Sequence, residues 1–313
     1  MWKKVDIVFK LKSPLHIGYL PFKGSVVSPT RYYVPGRNLW GAVTKRITEY
    51  LFDNPNAKNY RNIGRQVMEN FRFSYFYLYD EKTIYFPHYT DEGLEYGDNK
   101  KKITKAEFEH KFIGSIISTA IDRDGTAKNK SLHEIEFINN KFKDKDGNIK
   151  PVMIAGCIWI KRIKNDAKIK NEYNLEIKDN RIFVDDLNII SELILGGESK
   201  YGFGHLKLSS VNKVEFPKIA PFKWKNPEKI EIKQEPIIAH LKYAESIKFK
   251  GELELLTGRG YFDPKRLEND NNTRVSNNPG KIVPKPEYYF SPGTVLMADK
   301  NGILDWDGTL IQA

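Results

Sequence analysis

A glycine-rich stretch, residues 196–204, is the part of the sequence best suited to binding chemistry. Its glycines let backbone N–H groups approach an anion closely. Lys200 adds a positive charge, and the rings of Tyr201 and Phe203 are surfaces on which nucleobases can stack. The stretch lacks the Gly-Lys-Ser/Thr of a P-loop, and its predicted place between a helix and a strand reverses the order of a dinucleotide-binding fingerprint. The alternative interpretation is a helix C-cap and a tight turn.

A second candidate anion site is the turn predicted at residues 33–40, between a strand and a helix. The first N–H groups of a helix have no partner within the helix and suit a phosphate. Asn38 lies in this turn, and Arg37, Lys45 and Arg46 lie near it or on the same helix. The alternative is an ordinary capped helix with solvated basic residues.

Acid–base chemistry would depend on the six histidines. No two of them have the spacing of a metal-binding motif, so the sequence predicts no metal site and no cofactor. His16 is a candidate general base toward a ribose 2′-hydroxyl, with His205 as the general acid of a metal-free ribonuclease. The alternative is that both are structural or contact a ligand.

Two aspartates and a glycine surround Arg123 in residues 122–125. A calcium loop of the EF-hand type needs further oxygen ligands and a closing Glu, which this segment lacks. We interpret it as a turn that presents Arg123 to a backbone phosphate.

The elements that must position these residues follow from hydrophobic periodicity. We predict strands over residues 5–11, 71–79, 152–163 and 204–216. We predict one helix that follows Pro35 and Gly36 and is ended by Asn54 and Pro55, and a second that is capped by Asp185 and ended by Gly196 and Gly197. A polar insertion occupies residues 90–150. The order strand, helix, strand, insertion, strand, helix, strand indicates an α+β fold with a ferredoxin-like core and long insertions.

A proline-rich stretch separates residues 1–217 from a smaller, β-rich second domain over residues 218–313. Within the second domain, Arg259 and Tyr261 combine a cation with an aromatic ring in a glycine-containing segment, so they are candidate RNA contacts by residue type.

Composition narrows the class of partner. The 313 residues contain 51 Lys and Arg against 40 Asp and Glu, a formal net charge of +11 that suits a polyanion. The lone Cys157 excludes a disulfide framework and lies in an apolar run, where we expect a small core residue. No signal peptide or membrane-length apolar run is visible, so we expect a cytoplasmic protein without membrane contact.

Four segments in order resemble the RAMP superfamily of CRISPR-associated proteins. The resemblance covers residues 1–216 well and the remainder loosely. The segments are residues 15–18, residues 33–42, residues 120–127 followed by Leu132 and Glu136, and residues 195–204.

The resemblance implies a ferredoxin-like, RRM-related core, a second RAMP-like region, and the guide RNA and other CRISPR effector subunits as partners. The two-domain subunits of type III complexes that cap the 5′ handle of the guide RNA look most similar, the type III-D subunit above all. Target-cleaving family members carry an Asp after the first motif, whereas residues 19–32 contain no Asp or Glu. We therefore expect binding without cleavage. The expected RNA contacts are His16, Arg37, Asn38, Lys45, Arg46, Arg123, Gly197, Ser199, Lys200, Tyr201, Gly202, Phe203, Gly204, His205, Arg259 and Tyr261.

Three alternatives stay open. The chain could be a repeating backbone subunit along the guide RNA, a metal-independent endoribonuclease that processes the guide with His16 or His205, or an unrelated basic protein.

Overall fold

The structure is a computed structural model that describes residues 1–19, 25–161, 174–209, 220–256 and 287–312. It is an α+β protein rich in strands. The helices are α1 (Gly36–Leu51), α2 (Ala57–Asn70) and α3 (Lys105–Phe112). The strands up to residue 161 are β1 (Trp2–Leu11), β2 (Val27–Ser28), β3 (Tyr33–Val34), β4 (Phe71–Phe73), β5 (Phe76–Tyr79), β6 (Phe86–Thr90), β7 (Gly93–Gly97), β8 (Lys102–Thr104), β9 (Ile113–Ser118), β10 (His133–Ile138), β11 (Lys141–Lys143), β12 (Ile149–Pro151) and β13 (Met153–Lys161). The later strands are β14 (Leu175–Lys178), β15 (Arg181–Val184), β16 (Leu187–Asn188), β17 (Glu192–Ile194), β18 (His205–Leu208), β19 (Ile230–Ile232), β20 (Leu241–Lys242), β21 (Phe249–Lys250), β22 (Leu253–Leu256), β23 (Glu287–Phe290), β24 (Val295–Leu296), β25 (Lys300–Leu304) and β26 (Leu310–Gln312).

An antiparallel sheet with the strand order β17-β18-β1-β13-β5-β3, here called the central sheet, organises the first part of the chain, and β4 also pairs with β13. Strand β1 lies in its middle, with Val5 opposite Ile158 of β13 and Phe9 opposite Leu208 of β18. Counted along the chain, its main strands therefore lie in the order fourth, first, third, second.

One face of the central sheet packs against the two long helices. Side chains of the sheet such as Phe9 and Ile158 share a buried cluster with Val43 of α1 and Val67 of α2. Burial of these apolar side chains is the main force that holds helices on a sheet. Helix α1 confirms the helix predicted before Asn54 and Pro55, with its end at Leu51, and β13 confirms most of the strand predicted at 152–163.

The other face of the central sheet is covered by the second part of the chain. That part forms a sheet with the order β19-β25-β26-β20-β23-β22, the second sheet. Tyr77, Trp159 and the fully buried Cys157 pack here against residues such as Trp224 and Leu304. Alternate side chains of β13 enter the two opposite cores, because successive residues of a strand face opposite sides. The buried Cys157 confirms its predicted place in the core.

The helix predicted over residues 185–195 is wrong. Residues 181–188 form the hairpin β15–β16, which turns at Asp185 with φ of 49°, and residues 192–194 form β17. Leu193 is buried and its neighbour Ile194 is 53% exposed. A helix would bury Leu193 and Ile194 on the same face. Burial of one and exposure of the next is instead the period of a strand. The segment was ambiguous because its apolar residues fit both periods.

Two of the helices, α2 and α3, were not predicted from the sequence. Helix α2 begins at a capping box in which Asn56 and Asn59 cap each other. The insertion predicted at 90–150 contains α3, itself capped by Thr104 and Glu107, and several hairpins. The predicted boundary at residue 217 lies outside the described residues and stays a prediction. No helix that the structure describes is long and apolar enough to cross a membrane.

Candidate nucleic-acid interface

The glycine loop, residues 196–204, projects from the central sheet between β17 and β18. Four of its residues adopt positive φ angles: Gly196, Glu198, Gly202 and Gly204. A single 3-10 turn over Ser199–Tyr201 forms its tip. Lys200 is exposed and Tyr201 is 77% exposed. The tip therefore presents one cation and one aromatic ring to solvent, the two groups that single-stranded nucleic acid binds most readily.

The base of the glycine loop packs directly on the Leu15–Gly18 segment. The Gly197 N–H donates to the carbonyl of His16 at 2.8 Å, and the Gly204 N–H donates to the carbonyl of Pro14 at 2.7 Å. A Cβ atom on Gly196 would lie 2.3 Å from the His16 carbonyl oxygen, so only glycine permits this approach. Two motifs 180 residues apart in the chain thus form one surface.

His16 is held in a defined orientation within this surface. It is 5% exposed, and its Nδ1 donates to the carbonyl of Glu136 at 2.7 Å. The carboxylate of Glu136 accepts from the Thr30 N–H at 2.9 Å. Because Nδ1 carries the proton, Nε2 is an acceptor, and it has no hydrogen-bond partner in the described parts of the chain. The geometry therefore leaves Nε2 to accept a proton or a hydroxyl hydrogen from a ligand.

Phe203 helps to fix the glycine loop, because its side chain packs against a neighbouring strand. Its half-buried ring packs edge-on against Phe137 of β10, with ring centroids 5.3 Å apart. Edge-to-face contact is a favoured aromatic geometry, and it ties the loop to the neighbouring hairpin. Of the two rings predicted to stack on bases, Tyr201 is the more accessible.

Three predicted site residues meet in a second place, a charged pocket of about 120 Å³ between α1 and β17–β18, here called the α1 pocket. Lys45, Arg46 and His205 line it together with Glu49 and Glu192. The Arg46 Nε is buried without a hydrogen-bond partner among the described residues. A buried unsatisfied donor is costly, so a ligand that accepts from it is favoured.

The carboxylates of Glu49 and Glu192 offset the positive charges of Lys45 and Arg46 in the α1 pocket. Glu192 lies 3.5 Å from His205 Nε2 and also pairs with Lys207. Desolvation acts to raise the pKa of Glu192, but Lys207 and His205 outweigh it and the pKa is lowered. Glu192 therefore stays ionised beside Lys207 and His205. His16 and His205 do not contact each other, so the described structure does not assemble them into an acid–base pair.

The remaining predicted residues lie apart from the glycine loop. Helix α1 begins beneath the turn Asp305–Thr309, where a Cβ on Gly36 would lie 2.8 Å from the Gly308 Cα. Arg37 and Asn38 are partly buried there, and the charge of Arg37 acts on Asp307. The start of α1 is thus a contact with the turn between β25 and β26, and the anion-binding role expected of Arg37 and Asn38 stays a prediction.

Arg123 lies at the far end of the hairpin β9–β10. Residues 122–125 form the predicted turn, closed by a 3.0 Å hydrogen bond from the Gly125 N–H to the Asp122 carbonyl. Arg123 is exposed, as are the apolar side chains of Ile117, Ile121 and Leu132. Arg259 and Tyr261 lie outside the described residues.

Sequence reasoning missed the buried polar residues between the two sheets. Glu254 pairs with both Arg31 and His240. The partners are separated by as many as 223 positions, and no local motif marks them, so only the tertiary structure could bring them together.

No family model matches the sequence, and no curated protein matches it. Among solved structures, a chain of the cryo-EM structure of the type III-B Cmr-beta bound to cognate target RNA is similar to this one at 13% identity, with 93% of this chain and 86% of that chain covered and a TM-score of 0.48. A chain of the apo state of Cmr-beta is similar at 11% identity, with 68% and 98% covered and a TM-score of 0.40. With TM-scores below 0.5, function has to be argued from the residues of this chain.

Proposed function

We propose that this chain is a guide-RNA-binding scaffold subunit of a type III CRISPR effector complex, that it holds the 5′ handle of the guide, and that it does not cleave RNA. The proposal rests first on one observation. Three segments that carry the resemblance to the RAMP superfamily meet at His16, which contacts both Glu136 and the glycine loop directly.

The strand order of the central sheet supports the RAMP assignment. The order fourth, first, third, second, with all neighbours antiparallel, is what a ferredoxin-like core requires. The departure is the second crossover, in which the hairpin β15–β16 takes the place of the expected helix. Trp159 and Tyr77 lie on the sheet face that RRM domains use for RNA, and the second part buries them. RNA must therefore bind along the loops and the sheet edge.

The chemistry of this edge favours binding over cleavage. Tyr201 can stack on a base, Lys200 can neutralise a phosphate, and Nε2 of His16 can accept from a ribose 2′-hydroxyl. A ribonuclease of the metal-free kind needs a second positioned group near the same hydroxyl. His205, the residue proposed for that role, faces the α1 pocket instead.

The experiment compares three labelled RNAs by fluorescence anisotropy at two salt concentrations: guide RNA with its 5′ handle, the same RNA without the handle, and an uncut repeat transcript. We expect tighter binding of the handle RNA, weaker binding at the higher salt, and no product on a gel with or without Mg²⁺.

Each other outcome identifies an alternative. Equal affinity with and without the handle would favour a repeating backbone subunit. A discrete product from the repeat transcript would identify a processing nuclease. Failure to bind any RNA would leave an unrelated basic protein.

A further inference from the structure

A pocket lined with amides lies between the end of α1 and the exposed side of α2, apart from the glycine loop. It has a volume of about 260 Å³. Phe52, which follows α1, and Ile63 provide apolar wall, and Lys58 is the only charged residue among the described residues that line the pocket. The other residues that line this amide pocket are Asn56, Asn59, Asn62 and Gln66.

The amides fall into two groups by their hydrogen bonds. The Oδ1 atoms of Asn56 and Asn59 are used in the cap of α2, which leaves their NH₂ groups as donors. Asn62 is exposed and makes no side-chain hydrogen bond with the described residues. Gln66 Oε1 is buried and has no partner there either. A buried amide oxygen without a partner destabilises the protein, and this cost is removed if a ligand donates to it.

We propose that the amide pocket binds one unstacked nucleobase of single-stranded RNA. Asn and Gln amides each carry a donor and an acceptor side by side, which matches the edges of nucleobases. Unstacked bases in RNA-binding proteins are recognised through such edges and through contact with apolar or aromatic walls. The pocket accordingly supplies both kinds of contact in a space suited to a single base.

The chemistry argues against a free phosphate as the occupant. A phosphate site collects cations and backbone N–H groups, but this pocket has one lysine, and the N–H groups of Lys58 and Asn59 at the start of α2 already donate to Asn56 Oδ1. Lys58 at the rim is then placed for the phosphate attached to the bound nucleotide. The inference rests on the proposed function for the source of the base, since it assumes that RNA reaches this face.

The test is a scan of the guide RNA with abasic nucleotides, one position at a time, against three proteins. These are the wild type, the double variant N62L/Q66L, and E69L as a control on the same helix outside the pocket. Leucine is a good helix former, so α2 is expected to persist in both variants, which circular dichroism and the thermal midpoint verify.

If one base occupies the pocket, one abasic position weakens binding by the wild type and E69L about tenfold, as expected for loss of one bound base. The same position then has no effect on N62L/Q66L, because the site is already lost and the two changes are not additive. An equal loss in all three proteins, or no sensitive position, would overturn the inference while leaving handle binding intact.

If the wild type binds no RNA, the proposed function fails but the pocket is still tested. The probe is then each of AMP, GMP, CMP and UMP, with ribose 5-phosphate as the control without a base. Shifts of the Asn62 and Gln66 side-chain NH₂ resonances with at least one nucleotide, and none with ribose 5-phosphate, would support a base site. No shift with any nucleotide would refute it.

Discussion

The hydroxyl of Tyr75 lies 2.7 Å from Nδ1 of His240, which joins the central sheet to the second part of the chain through a buried hydrogen bond. The other ring nitrogen, Nε2, lies 2.8 Å from Glu254, whose second carboxylate oxygen pairs with Arg31. Burial lowers the pKa of His240, more than Glu254 raises it, so the ring is neutral. Tyr75 therefore donates to Nδ1, and Nε2 donates to Glu254.

Replacement of Glu254 by Gln is expected to destabilise the protein by about 3–5 kcal/mol, because it leaves the guanidinium of Arg31 buried without its counter-charge. The free energy of unfolding, measured with urea, checks this. E287Q is the matched control, since Glu287 forms an exposed pair with Lys242 and should contribute less than about 1 kcal/mol. A loss for E254Q as small as that of the control would contradict the buried pairing.

The same network predicts a dependence of stability on pH. Burial acts to raise the pKa of Glu254, but His240 and Arg31 outweigh it and lower the pKa from 4.5 to about 2. A carboxylate with a lowered pKa stabilises the folded state above its ordinary pKa, and this contribution is lost as the pH falls toward the folded value. The Glu254 contribution should thus disappear between pH 4.5 and about 2.

His240 extends this loss to higher pH. Its folded pKa is below 6.5, so the unfolded chain takes up the proton first and stability starts to fall as the pH drops below 6.5. Urea midpoints at pH 7, 5.5, 4 and 3 measure the profile. In E254Q the part below pH 4.5 that belongs to Glu254 should be absent; an unchanged slope there would show that other groups control it.

Two glycines of the glycine loop form a matched pair. Both have φ of 83°, but a Cβ on Gly202 meets no atom within 4 Å, whereas one on Gly204 would lie 2.0 Å from the Leu195 carbonyl oxygen. G202A should cost about 1 kcal/mol, the strain of a left-handed residue. G204A should cost more, about 3 kcal/mol, because the backbone must also move. Thermal midpoints rank the two; equal losses would disprove the close approach.

The exposed tip of the glycine loop predicts separable effects on RNA binding. K200Q should leave the thermal midpoint unchanged. It should reduce the slope of log K against log salt concentration by about one, the value for one lost phosphate contact. Y201A should weaken binding by about 1–3 kcal/mol with the salt dependence unchanged. K233Q, far along the sequence on the second part, is the control. If K200Q and K233Q behave alike, Lys200 makes no specific contact.

The contact between Trp40 and Trp306 predicts how firmly the two parts are joined. Their rings meet edge to face at 4.9 Å, and Trp306 is 4% exposed. W306A should destabilise the protein by about 3–5 kcal/mol, the usual cost of a large cavity. Urea unfolding measures this loss of stability. Y288A is the control, since Tyr288 is 57% exposed and its removal leaves no buried cavity. A loss below about 1 kcal/mol would mean that the turn Asp305–Thr309 is not anchored on α1.

Local sequence patterns were sufficient for elements that a single period describes. The alternation of apolar residues in β1 indicates a strand, and the spacing of Leu39, Val43 and Ile47 in α1 indicates a helix. Neither pattern fits the other structure. They were insufficient where two periods compete, as at residues 187–195, because a strand and a helix bury different subsets of the same apolar residues. The weak helix α2 was missed although its cap at Asn56 was a usable signal.

The sequence alone therefore determined the α+β class, the basic charge, the core position of Cys157 and the identity of the glycine loop, since each depends on residue type or on near neighbours. Only the tertiary structure decided that the glycine loop rests on His16, that the second part covers one face of the central sheet, and that Glu254 meets Arg31. These contacts join residues far apart in the chain. They are selected by close packing in the folded protein, and the local sequence pattern around either partner does not indicate them.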